Sequence, residues 1–578
     1  MTLDGITLGA IVTELQSLVG AKIERIHQPL RSEVLLLLHT TGGKKRLVLS
    51  AQGGESRLHL TDSPRPNPPQ APNFCMLLRK YIGGGRIVSV RQVGLERIVH
   101  IGIEARDEMG VTQTFTLVSE IMGKYSNLML LGPGDKILDS IHHVSFDMSR
   151  VRQVLPGMAY MLPELGKLCP TTASAASIAD VLTGKTPPGC LVDALEGFSF
   201  ATALEVCTRL FGDEPPALLS ESQALRLAGA VKDFVALCLR AESPCLQKNA
   251  DGMPVFFSPV AFVTYAAAGR IAFESANQAV DGYYTLRTRK AALEATRASL
   301  LKVMKKNITR VEKKKKIQLE TLAAGQKADT YRLYGELLTA NIYQVQRGMK
   351  SANVLNYYTG ENISIPLDVR LSPSANATRY FKKVGKLKTG AAFAAKKSKE
   401  YADELAYLEE LEYAATAADT PDDLEDIRSE LIRCGYMELA PREKPRRSDP
   451  LERPHKFRTS DGFTVLAGRN SRQNDALTMR VAEATDWWFH SKNLPGSHVI
   501  LFTGGLEMPP DTAILEAATI AATLCRSKNS PKIDVDYAPR AHVWKANGAK
   551  PGMVLYDKYY TLTMPPDPEK VESLRVSE

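Results

Sequence analysis

No proline interrupts this chain between Leu286 and Arg347, and Lys, Arg, Glu, Leu and Ala dominate the stretch. Nothing in it forbids one continuous helix. At about 1.5 Å per residue it would reach roughly 90 Å, far longer than a helix buried in an ordinary domain. Leu286, Leu293 and Leu300 fall seven apart, with Met304, Val311 and Gln318 at a second seam position, an impure heptad that predicts a coiled coil. A second arm, Lys396 to about Cys434, carries Leu405, Leu408, Leu411, Leu424, Ile427 and Leu431. The two arms are expected to fold back as a long antiparallel hairpin. Between them, residues 353–369 (NVLNYYTGENISIPLDV) alternate apolar and polar around a glycine, the pattern of a small β-hairpin.

A chain of 578 residues exceeds one core and suggests about three to five units. No run approaches the roughly 20 apolar residues that span a bilayer, and Asp4 in a start without basic residues argues against a signal peptide, so a cytoplasmic, membrane-free protein is expected. Eight scattered cysteines without a C-x-x-C pair disfavour zinc ribbons and disulfide frameworks and read as reduced packing residues. The formal charge of +9 is modest but uneven: Lys305 to Gln318 holds seven bases against one acid, and Lys382 to Lys399 is a second basic block. A lone lysine run is as often a solvated helix face, but repeated blocks on one rod point to RNA or DNA. Lys305, Lys306, Arg310, Lys313 and Lys314 are the candidate contacts.

Residues 1–168 read as a mixed α/β domain, with an amphipathic helix over Ile6 to Val19, strands at Lys22–His27, Glu33–His39 and Lys45–Ser50, a helix at Phe74–Tyr81, and further strands at Arg86–Gln92, Arg97–Glu104 and Thr112–Val118. Two polar islands stand out there. Glu96-Arg97 precedes an apolar strand, and EIMGKYSN (120–127) sits before the apolar Leu128 to Leu131. Their bland readings are a surface ion pair and a helix cap. Residues 169–244 read as short helices of helix-hairpin-helix type, 245–283 as strands returning to the first module, 284–438 as the helical hairpin, 439–454 as a Pro-rich charged linker, and 455–578 as a second α/β domain.

That last domain holds the densest polar cluster: Gly468-Arg469-Asn470, then Asp486-Trp487-Trp488-Phe489-His490, Lys492, and Pro495-Gly496-Ser497-His498. Aromatics beside Arg, Lys and His suit stacking on bases or gripping phosphates, whereas Trp487 also reads as core. The two histidines, eight apart, lack an obvious third metal ligand. A strand is expected over Val543 to Val554.

These motifs, with PSANATRYFKKVGKLK (373–388) and GAKPGMVLY (548–556), resemble the NFACT family from end to end, and within it the bacterial RqcH-type members, also labelled fibronectin-binding protein A-like and related to eukaryotic NEMF. The resemblance implies a glycosylase-like α/β N-terminal domain, a helix-hairpin-helix domain, a long antiparallel coiled coil and an α/β NFACT-R domain that binds RNA. It implies a ribosome-associated quality control factor, acting as a monomer on the large (50S) subunit with its 23S rRNA and peptidyl-tRNA, and recruiting tRNA, tRNA-Ala in particular, for template-free tailing of the stalled chain. No cofactor, metal or catalytic residue is implied, since the ribosome forms the peptide bond. Carried over by position, tRNA engagement falls on Glu96, Arg97, Glu120, Ile121 and Met122, with Lys124 a further candidate beside them, while the polar cluster itself offers Arg469, Asn470, His490, Lys492, Ser497 and His498 for RNA or ribosome contact. Glu96 stands where the family has Asp, and Tyr125 where it has His, which bears on tailing more than on ribosome binding. Rival readings are a surface fibronectin-binding adhesin and a DNA repair protein, the latter weakened by Thr2 standing where such glycosylases use a proline nucleophile.

Overall fold

The computed structural model describes residues 3–63, 65–106, 110–163, 166–439 and 453–576. Thr2 and most of the expected linker lie outside the described residues. The chain divides into two compact units, Met1–Ala291 and Ala292–Glu578.

In the first unit, α1 (Gly5–Leu15) starts behind Asp4, whose carboxylate accepts the Thr7 amide at 2.9 Å. The amphipathic expectation is corrected here, because Gly5 through Val12 are all buried. Gly5 has no alternative: a Cβ at that position would sit 1.8 Å from the Leu95 carbonyl oxygen. Next come β1 (Lys22–Leu30), β2 (Glu33–Thr40), β3 (Gly43–Ser50), β4 (Arg57–Leu60), α2 (Asn73–Ile82), β5 (Arg86–Gln92), β6 (Ile98–Arg106), β7 (Thr112–Glu120), β8 (Asn127–Leu131) and β9 (Ile137–Ser140). The nine strands make one sheet in the order β4-β3-β2-β1-β5-β6-β7-β8-β9, paired antiparallel. Short connections make β1 to β4 one antiparallel meander and β5 to β9 another, and the longer β4–β5 connection, which carries α2, lays β5 beside β1.

Strands β6 to β8 are apolar on both faces. Ile101, Ile103, Leu117, Leu128 and Leu130 join the main core under α1. Ile98, Val118, Met129 and Leu131 point the other way and pack beneath Ile137 and Val154. Side chains alternate along β7, so Glu120 shares this second face with Val118.

Helices α3 (Ala175–Leu182), α4 (Gly189–Ala194), α5 (Phe200–Phe211) and α6 (Glu221–Arg240) surround a separate core that includes Ile178, Leu191, Val206 and Leu227. A small antiparallel sheet of β10 (Cys245–Lys248), β11 (Pro254–Ser258) and β12 (Arg270–Ala272) follows.

Helix α7 runs Ala276–Gly325, so it begins before Tyr284 and stops well short of Arg347. The single continuous arm is therefore corrected. Turns at Gln326 and Lys327 separate it from α8 (Ala328–Ala340). Lack of proline permits a helix but does not hold one, and Ala323 to Lys327 offers a glycine and no large apolar side chain to bury. The hairpin of β13 (Ser351–Asn356) and β14 (Glu361–Pro366) matches expectation. The second arm is corrected at both ends: α9 (Pro373–Ala417) starts earlier than Lys396, and α10 (Pro421–Arg433) is a separate helix. Each begins with proline behind a hydroxyl cap, the Ser372 Oγ accepting from the Ala375 amide and the Thr420 Oγ1 from the Asp423 amide, both at 3.2 Å. Proline is preferred in that first turn because its missing N–H would have had no intrahelical partner.

Within the second unit, Leu300, Met304 and Val311 of α7 share a core with Tyr407, Leu408 and Leu411 of α9. Gly325 faces Ala391, and Gly335 of α8 faces Phe381, so these helices run antiparallel. The heptad is used only in part: Leu286 packs with the first unit's core, and the seam position Gln318 is half-buried between exposed Ile317 and Leu319.

The remaining elements are β15 (His455–Arg458), β16 (Thr464–Ala467), α11 (Ser471–Ala476), β17 (Trp487–Ser491), β18 (Val499–Leu501), α12 (Asp511–Thr523), β19 (Ile533–Pro539), β20 (Val543–Trp544), β21 (Leu555–Tyr556), β22 (Tyr560–Met564) and α13 (Pro568–Leu574). Six of the strands form a sheet in the order β15-β16-β18-β17-β19-β22, with the alanine-rich α12 packed on one face. The strand expected over Val543 to Val554 is instead two short strands joined by a turn-rich segment. All eight cysteines are free, and among the described residues no helix is long and apolar enough to cross a membrane.

Candidate nucleic-acid interface

The two N-terminal polar islands, far apart in sequence, meet at one end of the β6–β7 pair. Ile98 pairs with Glu120, and the Ile121 amide donates to the Arg97 carbonyl at 2.8 Å. Glu96 and Arg97 are half-buried in the turn before β6. Burial raises the Glu96 carboxyl above its ordinary value, with the like charge of Glu196 adding to the shift and Lys167 and Arg97 opposing it. Glu196 itself is held by the Leu95 amide at 3.0 Å.

Glu120 lies deeper. It is 3 % exposed, and its two oxygens accept from the Arg152 guanidinium at 2.9 and 2.6 Å, with the Tyr160 hydroxyl donating at 2.9 Å. Ile121 is fully buried in the main core. What this island presents outward is the half-buried Met122 together with exposed Lys124 and Tyr125, the ammonium lying 4.9 Å from the Tyr125 ring centroid. Sequence reasoning missed Arg152 and Tyr160. They come from an irregular segment after β9 that carries no periodic signal, and only the fold brings them under β7.

On α7 the five expected cations do come together. Lys305, Lys306, Arg310, Lys313 and Lys314 are all exposed and, with Thr309 and Ile317, line one shallow groove. Their spacing of three to four residues sets them on one helical face, where the summed potential favours a polyanion.

The C-terminal cluster divides differently. Asn470 is 5 % exposed and caps α11 by accepting the Gln473 amide at 3.0 Å. Ser497 donates to the Gly468 carbonyl at 2.7 Å, and His498, 2 % exposed, bonds Thr478 through Nδ1 at 2.8 Å. His490 packs on Trp488 and against His498, the two imidazoles 5.2 Å apart, and burial pushes its pKa down to about 4. Near neutral pH that ring is uncharged. Trp487 and Trp488 are core residues. Lys492 and Arg469 reach farther out: Lys492 pairs with Asp536 at 3.2 Å and Arg469 with Asp423 at 3.4 Å. Among the described residues no group of three or more His, Cys, Asp or Glu side chains is placed to hold a metal ion.

An antiparallel N-terminal sheet with converging polar islands, paired long helices carrying a basic face, and a terminal α-plus-β module define a multidomain chain with a cationic helical face. A family model described as "NFACT N-terminal and middle domains" matches residues 4–450, and one described as "NFACT protein RNA binding domain" matches residues 453–558. The chain belongs to the NFACT family. It is 34% identical over 597 aligned positions to a Bacillus subtilis protein named "Rqc2 homolog RqcH", covering 100% of both chains. It is 26% identical over 372 positions to human "Ribosome quality control complex subunit NEMF", covering 60% of this chain and 33% of that protein. A solved structure of the N-terminal part of a fibronectin/fibrinogen-binding protein from Streptococcus suis is 30% identical, covers 49% of this chain and 99% of that one, and superposes with a TM-score of 0.43.

Proposed function

We propose that this chain is a ribosome quality control factor that engages a large ribosomal subunit still carrying peptidyl-tRNA and recruits tRNA, tRNA-Ala in particular, for template-free C-terminal tailing of the stalled chain. The observation that carries the reading is the full-length similarity to the Bacillus subtilis RqcH protein. Two features of the geometry support it. Glu96, Arg97 and Lys124 gather at one end of β6 and β7, where a carboxylate and cations are offered together to ribose, base edge and phosphate. The cationic face of α7 suits the rRNA backbone.

The chain's work in this reading is positioning. The amine of an aminoacyl-tRNA attacks the peptidyl ester within the ribosome, and Glu96 and Arg97 hold the incoming tRNA while Glu120 acts through Arg152 to keep the neighbouring segment in place. Glu96 reaches one methylene farther than the Asp usual in the family, so Glu96→Asp should preserve tRNA capture.

Pull-down of the tagged chain, with sequencing of bound RNA, tests the reading. The expected result is 23S rRNA with a restricted tRNA set. Recovery of neither overturns it. Arg97→Ala should reduce tRNA more than 23S rRNA, and equal loss of both refutes the role given to Arg97.

A further inference from the structure

The second unit contains a cavity of about 780 Å³ bordered by α7, the end of α9 and the C-terminal module. This is the size of a small-ligand or nucleotide site. Lys302 and Lys305 enter from α7, Arg469 and Lys528 from the C-terminal module, and Leu301 and Tyr413 supply apolar wall. Acidic residues are present and two are already engaged: Asp423 with Arg469 at 3.4 Å, and Glu412 with Arg526 at 3.1 Å. The lysines remain as surplus positive charge.

A second observation points to an anion. The Arg469 side chain is 17% exposed, yet its Nε–H is buried and has no acceptor among the described residues. The Nδ1 of His455, on the same wall, is likewise buried and unpartnered. Buried donors of a permanent cation are costly unless an acceptor meets them, and a charged acceptor meets them best. The low pKa of His455, about 3, arises from burial and then from Arg469 and Arg575, consistent with positive surroundings.

We propose that this cleft seats a phosphate of a single RNA strand, with Lys302, Lys528 and the Arg469 guanidinium as its cationic wall and Tyr413 beside the adjoining nucleoside. The inference rests on the RNA-binding part of the function proposed above. An acidic peptide would meet the same cations, but the aromatic and aliphatic wall favours a base and ribose over a carboxylate chain.

The test uses the full chain and a labelled oligouridylate hexamer. Lysine acylation read by mass spectrometry should show Lys302 and Lys528 protected by the hexamer and not by inorganic phosphate at equal phosphate concentration. Lys302→Glu with Lys528→Glu, both at exposed positions, should weaken hexamer binding about tenfold or more at low salt and flatten the log–log salt slope by about 0.7, the share of the one single-strand phosphate seated there. Unchanged affinity and slope, or protection confined to Lys313 and Lys314, overturns the cleft. Equal protection by free phosphate reduces it to a simple anion site and overturns the strand, and equal competition by polyglutamate overturns the nucleotide. Failure here with ribosomal RNA and tRNA still recovered in the pull-down rejects the cleft alone, whereas loss of that recovery in the unmodified protein rejects the function beneath it.

Discussion

Replacing Arg152 with alanine removes both nitrogen donors from Glu120 and leaves the Tyr160 hydroxyl as the remaining donor to a carboxylate that is 3 % exposed. Breaking a buried pair by deleting one partner costs about 3–5 kcal/mol, chiefly because the other charge stays buried. Arg152 is itself 18% exposed, so water can partly replace it and the lower end, about 3 kcal/mol, is expected. At roughly 1.4 kcal/mol per decade, that is about a hundredfold loss of local protection. Hydrogen exchange should report it at Glu120 to Met122 and over residues 152–160, while amides in the α3–α6 helices keep wild-type rates. Glu120→Gln combined with Arg152→Met removes both charges and should recover most of the protection. The same variants separate two roles for Glu120. If it acts through Arg152, Arg152→Ala lowers tRNA recovery as much as Glu120→Ala does. Wild-type exchange in the Arg152→Ala variant, or strict additivity of the single changes in the double, would refute the brace.

Other perturbations follow from the same geometry. Gly5→Ala forces a methyl toward the Leu95 carbonyl, 1.8 Å from its ideal position, and should lower thermal stability of the first unit by at least the 1–3 kcal/mol typical of overpacking; an unchanged melting profile contradicts that approach. Glu430, 1 % exposed and bonded by the Tyr407 hydroxyl at 2.5 Å, has its pKa raised by burial to about 7. Its folded form binds more protons than the unfolded chain between about pH 4.5 and 7, so stability falls as pH rises through that window, by on the order of 3 kcal/mol in all. Glu430→Gln should flatten urea midpoints measured from pH 5 to pH 8, and an equally steep decline in the variant removes Glu430 as the cause. Reversing Lys306 and Arg310 to Glu on the α7 face should weaken rRNA retention with a shallower salt slope, and undiminished retention with an unchanged slope argues against that face.

Much of the fold was legible because it depends on local rules. Alternation and short apolar runs mark β1 to β3 and β5 to β7, and the cations of α7 fall on one face because helical spacing alone puts them there. Where local rules were permissive rather than decisive, the reading missed. Pro421 starts a helix instead of extending one, α9 begins at Pro373, and α7 breaks after Gly325 without any proline. The cluster around His498 showed the complementary error. A dense polar motif looked like a surface, but Asn470, Ser497 and His498 spend their polar atoms on caps and backbone.

Residue order by itself determined the helical and strand periods, the basic face and the family, since each depends on residue type and spacing along the chain. Tertiary structure alone decided that Arg97 and Ile121 share a hydrogen bond, that Glu120 faces inward onto Arg152, and that Arg469 and Lys302 border one cavity. Those pairings depend on strand register and helix packing, which bring distant residues together through contacts that no local pattern encodes.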